Sequence, residues 1–326
     1  MREILAVDHL ILDVQYHFNQ MHHSRHSSSP DLLGSGFIDL SNLVFGMKTH
    51  RLSMELMHPV SLKLTVESHG WYQLSPWRWD GNLLERTSVI GGEKEWIRIQ
   101  QPHLQRLDIE TSSANTDVVI ERVTRWLHLD WNPAEFLALC DMNDRAIGDF
   151  IRSGGGRFLR CDTFFEDFIK TVCTINTTWK QTKKMLSSIV CLGDGLFPQP
   201  IELQEIGPIR LAEECKLGFR ARTVDTVTTQ LLTDNAIKVD GSARAGFVTY
   251  EYLNSLKGIG PYSASHAMML IRDFSTLPVD SEVSAYLRDS GLDPNDAQNI
   301  YKQWGEYRFL GYKLKRIIAN KNWIGN

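Results

Sequence analysis

No Cys-x-x-Cys pair occurs in the 326 residues, and Cys140, Cys161, Cys173, Cys191 and Cys215 are each at least a dozen residues from the next. That spacing excludes the usual thiolate metal knuckle and leaves a disulfide framework without support. A reducing compartment is expected, cytoplasm or nucleoid in a bacterium and the nucleus in a eukaryote. No apolar run is long enough to cross a membrane, and the opening MREILAVDHL is interrupted by Asp8, so neither a membrane span nor a signal peptide is expected. The glycine-rich basic turn RSGGGRFLRCD (152–162) lacks the Gly-Lys-Ser/Thr ending of a nucleotide phosphate loop. Charge of one sign is scarce as well. With 35 Lys and Arg against 39 Asp and Glu, the net charge is −4. This rules out coating of nucleic acid by bulk charge and leaves room for a local basic face. Internal repeats are absent.

What remains is globular: hydrophobic residues make up 42% and charged residues 23%, and the length suffices for two domains. The pattern points to an α+β chain, with a small antiparallel β-rich domain over 1–120 and an all-helical domain over 121–326. SLKLTVES (61–68) alternates and reads as a strand, and TSVIGGEKEWIRIQ (87–100) reads as two strands joined through Gly91-Gly92. RWLHLD (125–130) reads as the last strand, after which Asn132-Pro133 opens the first helix of the second domain. Asp162-Thr163 starts the helix TFFEDFIKTVCTI. Trp71, Trp77 and Trp79 either cap the sheet and fill a seam or stack on a nucleobase. The three histidines of HHSRHSSSPD (22–31) sit in loop composition rather than a metal site.

Basic residues gather locally. Lys180, Lys183 and Lys184 follow i, i+3, i+4 spacing and share one helix face. GFRARTV (218–224) places Arg220 and Arg222 in the first turn of a helix, where cations oppose the dipole, so a phosphate or an acidic neighbour is expected nearby. Between 302 and 321 stand six Lys or Arg and the single acid Glu306.

The most informative stretch is LNSLKGIGPYSASHAMMLIRDFSTLPVDSEV (253–283). A helical segment ends at Leu256, Gly258-Ile259-Gly260 turns the chain, and Pro261 starts a second helix. Glycines permit positive φ or close approach of a ligand, and proline fits a first helical turn whose N–H groups and dipole face an anion. A loop then delivers Asp280 to the start of a further helix, where Asp is a favoured N-cap.

Leu256, Gly258, Ile259, Gly260, Ala264, Pro278, Val279 and Asp280 together resemble the signature of the helix-hairpin-helix DNA base-excision glycosylases. RWLHLDWNPAEFLAL, RFLRCDTFFEDFIKTVCTINTTW and LGFRARTV extend the likeness to the 3-methyladenine and 8-oxoguanine branches, over about 126–316. The resemblance implies that Lys257, Gly258 and Gly260 grip DNA backbone, with Lys180, Lys183 and Lys184 adding charge. By the same resemblance Asn176 fills the gap left by an extruded base, Tyr262 and Trp179 line the base pocket, and Asp280 is the catalytic carboxylate. The partner implied is duplex DNA with a damaged base, met by a monomer.

Two departures from the family's pattern matter. Members that also cleave the strand carry a lysine two residues after the second glycine, where this chain has Tyr262. The iron–sulfur branch needs four late cysteines, and none follows Cys215. The expected protein is therefore a monofunctional glycosylase for an alkylated purine, without a cluster or metal, although a monovalent cation at the hairpin is compatible with the resemblance. The alternatives are an oxidised-purine glycosylase with lyase activity, using an amine such as Lys257, and a DNA-binding protein without catalysis.

Overall fold

In the computed structural model, residues 49–279 and 281–320 are described, and all belong to the compact unit 47–326. The histidine-rich stretch 22–31 and Asp280 lie outside them.

Five strands form one antiparallel sheet: β1 (His50–Glu55), β2 (Arg78–Trp79), β3 (Leu84–Ile90), β4 (Glu93–His103) and β5 (Arg106–Thr111), in the order β1-β5-β4-β3-β2. The Gly91-Gly92 hairpin is as the sequence predicts. Ile90 pairs with Glu93, and both glycines take positive φ, which matches the twist of a two-residue connection. Alternation buries Leu84, Arg86, Ser88 and Ile90 on one face of β3.

Two predicted strands are helices. SLKLTVES forms α1 (Leu62–Val66), because Ser61 accepts from the Leu64 N–H as an N-cap, and buried Leu62, Thr65 and Val66 follow i, i+3, i+4 spacing, in which Leu62 and Val66 also fit alternation. RWLHLD falls at the end of α2 (Thr116–Leu127), whose buried stripe Val119, Val123, Trp126, Leu127 is helical; His128 closes it with a left-handed φ of 53°.

The other helices are α3 (Ala134–Asn143), α4 (Arg145–Arg152), α5 (Phe164–Val172), α6 (Trp179–Leu192), α7 (Pro200–Glu213), α8 (Arg220–Thr233), α9 (Tyr250–Ser255), α10 (Pro261–Leu270), α11 (Ser281–Asp289), α12 (Ala297–Ile300) and α13 (Arg308–Asn320). Sheet and helices together make a mixed α+β chain.

Helix α5 is the axle. Thr163 caps it, as its hydroxyl accepts from the Glu166 N–H, and all nine of its residues are buried. Buried charge on a helix is costly unless paired. Here Arg86 of β3 grips Glu166 with two bonds of 3.1 and 2.6 Å and reaches Asp162 at 3.1 Å, while Lys170 lies 2.9 Å from Glu166. Burial opposes ionisation of Glu166, but Arg86 and Lys170 outweigh it and hold the carboxyl down to about 2. This clamp fixes the sheet to the helix that leads into Asn176, and α10 packs along the same helix.

Candidate nucleic-acid interface and base pocket

The hairpin forms as predicted. Helix α9 stops before Leu256, the Ile259 N–H donates to the Leu256 carbonyl, and α10 starts with Pro261 as its first residue. The two glycines play different parts. Gly258 has φ +88°, and a Cβ there would meet Thr223 of α8 at 2.9 Å. Gly260 has φ −113° and ψ 178°, ordinary extended backbone, with nothing within 4 Å of a Cβ. Positive φ or close approach of a ligand is the expectation, and the two glycines do not both take positive φ. Only Gly258 does, and what a side chain at 260 could obstruct lies outside the protein. No side chain caps α10, and its first residue, Pro261, is exposed, so the positive end of the helix dipole lies at the surface there. Lys257 and Gly258 are exposed beside it.

One helical turn further, Tyr262 is half-buried and stacks on His266 with centroids 5.8 Å apart at 28°. The i, i+4 spacing puts both rings on one face of α10. His266 in turn borders Trp71 at 5.0 Å and His69 at 5.7 Å. Trp71 is anchored from below: its indole N–H donates to Asp167 of α5 at 3.0 Å, and Asp167 also accepts from the Cys161 N–H and lies 3.3 Å from Arg125. Burial raises the Asp167 pKa despite those partners.

Trp179, the first residue of α6, joins the same cluster from another side. Its indole N–H donates to Gln73 at 2.8 Å, and its ring lies so close over Gly70 that a Cβ there would meet it at 2.4 Å. The short turn Gly70–Gln73 therefore gathers Trp179 from α6, His266 from α10 and Asp167 from α5. Of the three tryptophans in 71–79, only Trp71 takes part. Trp77 packs edge-on against Trp126 at 5.0 Å, and Trp79 donates to Glu67 at 3.1 Å.

Asn176 is exposed with φ 47°, in the turn between α5 and α6. It does not cap α5, as that role falls to Cys173. Arg220 holds the turn, donating to the carbonyls of Ile175 and Asn176. The compensation expected for the arginines opening α8 is thus neither a phosphate nor an acid at Arg220. Main-chain carbonyls in the turn between α5 and α6 take its charge. Its guanidinium also lies 4.5 Å from the ring of Phe219, which is 61% exposed.

Lys180, Lys183 and Lys184 project from the exposed face of α6, opposite buried Thr182, Met185, Leu186 and Ile189, and none forms an ion pair with a described residue. Among the described residues no group of three or more His, Cys, Asp or Glu is arranged to hold a metal, and no helix is long and apolar enough to cross a membrane. Helix α11 begins at Ser281, immediately after Asp280.

Sequence reasoning missed His69, His266 and the partners of Arg220. The available signals were the i, i+4 spacing of Tyr262 and His266 and the adjacency of His69 to the tryptophan segment.

No family model and no curated protein matches the sequence. Solved structures do. A 3-methyladenine DNA-glycosylase from Archaeoglobus fulgidus is similar at a TM-score of 0.64 and 18% identity, covering 84% of this chain and 100% of the other. An 8-oxoguanine glycosylase/lyase from Clostridium acetobutylicum in its apo-form gives 0.61 and 15%, over 81% and 94% of the two chains. The same enzyme with double-stranded DNA containing cytosine opposite 8-oxoG gives 0.59 and 15%, over 83% and 99%. The chain has a DNA-glycosylase fold. At these identities the likeness is one of fold, and it spans nearly the whole of each neighbour.

Proposed function

We propose that this chain is a monofunctional DNA N-glycosylase that extrudes a damaged purine, with alkylated purines as the first class to test, from duplex DNA. It hydrolyses the glycosidic bond and leaves an abasic site. The observation that carries the reading is the union of two features on one helix. The uncapped N-terminus of α10 lies at the surface beside Gly260, and Tyr262 in the same turn stacks on a buried aromatic cluster. A backbone phosphate held at the first feature places the neighbouring nucleotide next to the second. Phosphate contacts position the duplex, and an aromatic pocket receives the base that is turned out of the stack.

In this reading Lys257 and the three lysines of α6 contribute charge to a monomer acting where DNA is kept, and Asn176 enters the gap in the duplex. Asp280, just before α11, stabilises the oxocarbenium-like sugar as the base departs with the bonding electrons. Water adds its oxygen to C1′, and its proton passes to Asp280 or solvent. No cofactor takes part. The fold likeness to glycosylases, one of them bound to double-stranded DNA, supports the assignment.

The lyase alternative is less well supported. A Schiff base needs an amine at the sugar. Lys257 lines a recess between α8 and α9 with Gln230, Asp234 and Tyr252, a lining that includes neither Tyr262 nor His266.

The deciding experiment incubates the protein with duplexes carrying single alkylated, deaminated or oxidised purines and analyses released base and strand integrity. Base release with strands that break only after alkali is the expected outcome. Wild-type protein that releases no base from any duplex overturns the glycosylase reading, and a borohydride-trapped adduct overturns its monofunctional part.

A further inference from the structure

The polar atoms of the aromatic cluster are unspent. His266 is 4% exposed, and neither of its ring nitrogens has a hydrogen-bond partner among the described residues. Nε2 of His69 is likewise buried and unpartnered, while its Nδ1 lies 3.0 Å from the Ser68 hydroxyl. The two rings are 5.7 Å apart and both border Trp71, at 4.7 Å from His69 and 5.0 Å from His266. Folded proteins satisfy the large majority of buried polar atoms, so an orphan calls for an explanation. Three imidazole nitrogens without a partner among the described residues lie in one cluster, where an apolar ring at either position would fill the space without the loss. Aromatic walls with a few convergent polar atoms are the composition of a small-molecule site.

The protonation state narrows the ligand. Burial, aided by Lys313, holds His266 down to about 3. Burial, His266, Lys313 and Lys170 likewise hold His69 well below its ordinary value. Both rings are neutral at physiological pH, and a neutral imidazole offers one N–H and one bare nitrogen. The pair therefore presents both donors and acceptors and no charge, which suits a flat heterocycle with an N–H and a carbonyl or ring nitrogen side by side on one edge.

We propose that His266, with His69 beside it, is the specificity element of the pocket and hydrogen-bonds the polar edge of a neutral purine base. One imidazole N–H donates to a ring nitrogen or carbonyl of the base, and a bare imidazole nitrogen accepts from its N–H or amine. Tyr262 and Trp71 flank the base with apolar surface. This rests on the glycosylase reading and departs from its first substrate class: the site selects neutral bases whose hydrogen-bonding edge is intact, such as hypoxanthine or 8-oxoguanine, over N-alkylated cationic purines.

The test uses the full chain and two readouts. In the first, free hypoxanthine and 8-oxoguanine are titrated against the protein and followed by saturation-transfer NMR. In the second, release of the same bases and of 7-methylguanine is measured from lesion duplexes. His266→Phe, which keeps a flat ring and removes both nitrogens, should weaken binding of the free neutral bases about tenfold and lower their release by a similar factor, the scale of losing one or two hydrogen bonds. It should leave affinity for undamaged duplex unchanged, and His266→Gln should recover part of the loss. His69→Gln serves as the second variant, with circular dichroism to verify folding of each.

Wild-type protein that releases bases with the same selectivity as a folded His266→Phe variant overturns the inference and leaves the glycosylase reading intact. So does wild-type release of 7-methylguanine in preference to both neutral bases. Wild-type protein that releases nothing, yet binds free purines in a His266-dependent way, overturns the glycosylase reading alone. Absence of any free-base binding together with absence of release overturns both.

Discussion

Arg220 holds Asn176 by its main chain: one guanidinium nitrogen lies 2.7 Å from the Asn176 carbonyl oxygen and 2.5 Å from that of Ile175, which a second nitrogen also reaches at 2.8 Å. Asn176 is a non-glycine residue in left-handed backbone (φ 47°), a conformation that costs free energy unless its surroundings enforce it. Arg220, 7% exposed and charged, supplies the enforcement. The relationship links the start of α8 to the turn proposed to enter the duplex.

Arg220→Met should therefore loosen that turn. Charge-assisted bonds are each worth about 1.5–3 kcal/mol, so a stability loss of about 2–4 kcal/mol in urea unfolding is expected. Release from a paired lesion should fall further than release from a lesion in single-stranded DNA, where no gap needs filling. Equal losses on the two substrates would detach Arg220 from base extrusion.

The hairpin glycines should separate stability from binding. Gly258→Val places a β-branched residue at φ +88° and drives its Cβ into Thr223 at 2.9 Å, so the fold should lose roughly 2 kcal/mol or more. Gly260→Val meets neither obstacle and should unfold at the wild-type denaturant midpoint. Its cost should appear in affinity for every duplex, damaged or not, because phosphate contacts carry no sequence information. A Gly260→Val protein that binds undamaged duplex as wild type does would remove this hairpin from the interface.

Buried His128 and His266 and half-buried His69 make stability depend on acid. His69, His128 and His266 all have folded pKa values below the ordinary 6.5, burial being the largest cause in each. The unfolded chain then binds more protons than the folded one below pH 6.5. Stability is fully present above that pH and declines as pH falls, by about 1.4 kcal/mol per pH unit for each histidine. Urea unfolding at pH 7.5 and pH 5.5 should differ by up to about 4 kcal/mol if all three follow this slope. His266→Phe should remove one histidine's share of it, and an unchanged slope would contradict burial of a neutral His266.

Much of this was legible in the sequence because short-range chemistry decides it. Gly91-Gly92 permits one kind of hairpin, Thr163 and Pro261 mark helix starts, and lysines at i, i+3, i+4 lie on one face whatever the tertiary context. The two misread strands show the limit. Leu62 and Val66 fit both periods, and the choice was made by Ser61 as a cap and by packing between distant segments. The pocket was half-legible for the same reason. Tyr262 and His266 share a helix face by spacing alone, but Trp71 and Trp179 reach them only through the Gly70–Gln73 turn, whose approach to α6 depends on the missing Cβ of Gly70. The partners of Arg220, 44 and 45 residues away, had no local signature.

The last prediction concerns the carboxylate. In sequence, Asp280 comes between α10, which carries Tyr262 and His266, and α11, which begins at Ser281. If it stabilises a cationic sugar, its negative charge is the property that matters, and Asp280→Asn removes the charge at almost constant shape. A preorganised electrostatic stabiliser is worth about 10²–10³ in rate. Base release under single-turnover conditions should thus fall by about 100-fold or more, with duplex affinity and the denaturant midpoint within error of wild type. Asn also remains a good N-cap, so a purely structural role for Asp280 predicts near-normal release by the same variant. Wild-type rates from Asp280→Asn would place the catalytic charge elsewhere. A parallel loss of DNA affinity would mean that the residue shapes the interface rather than the transition state.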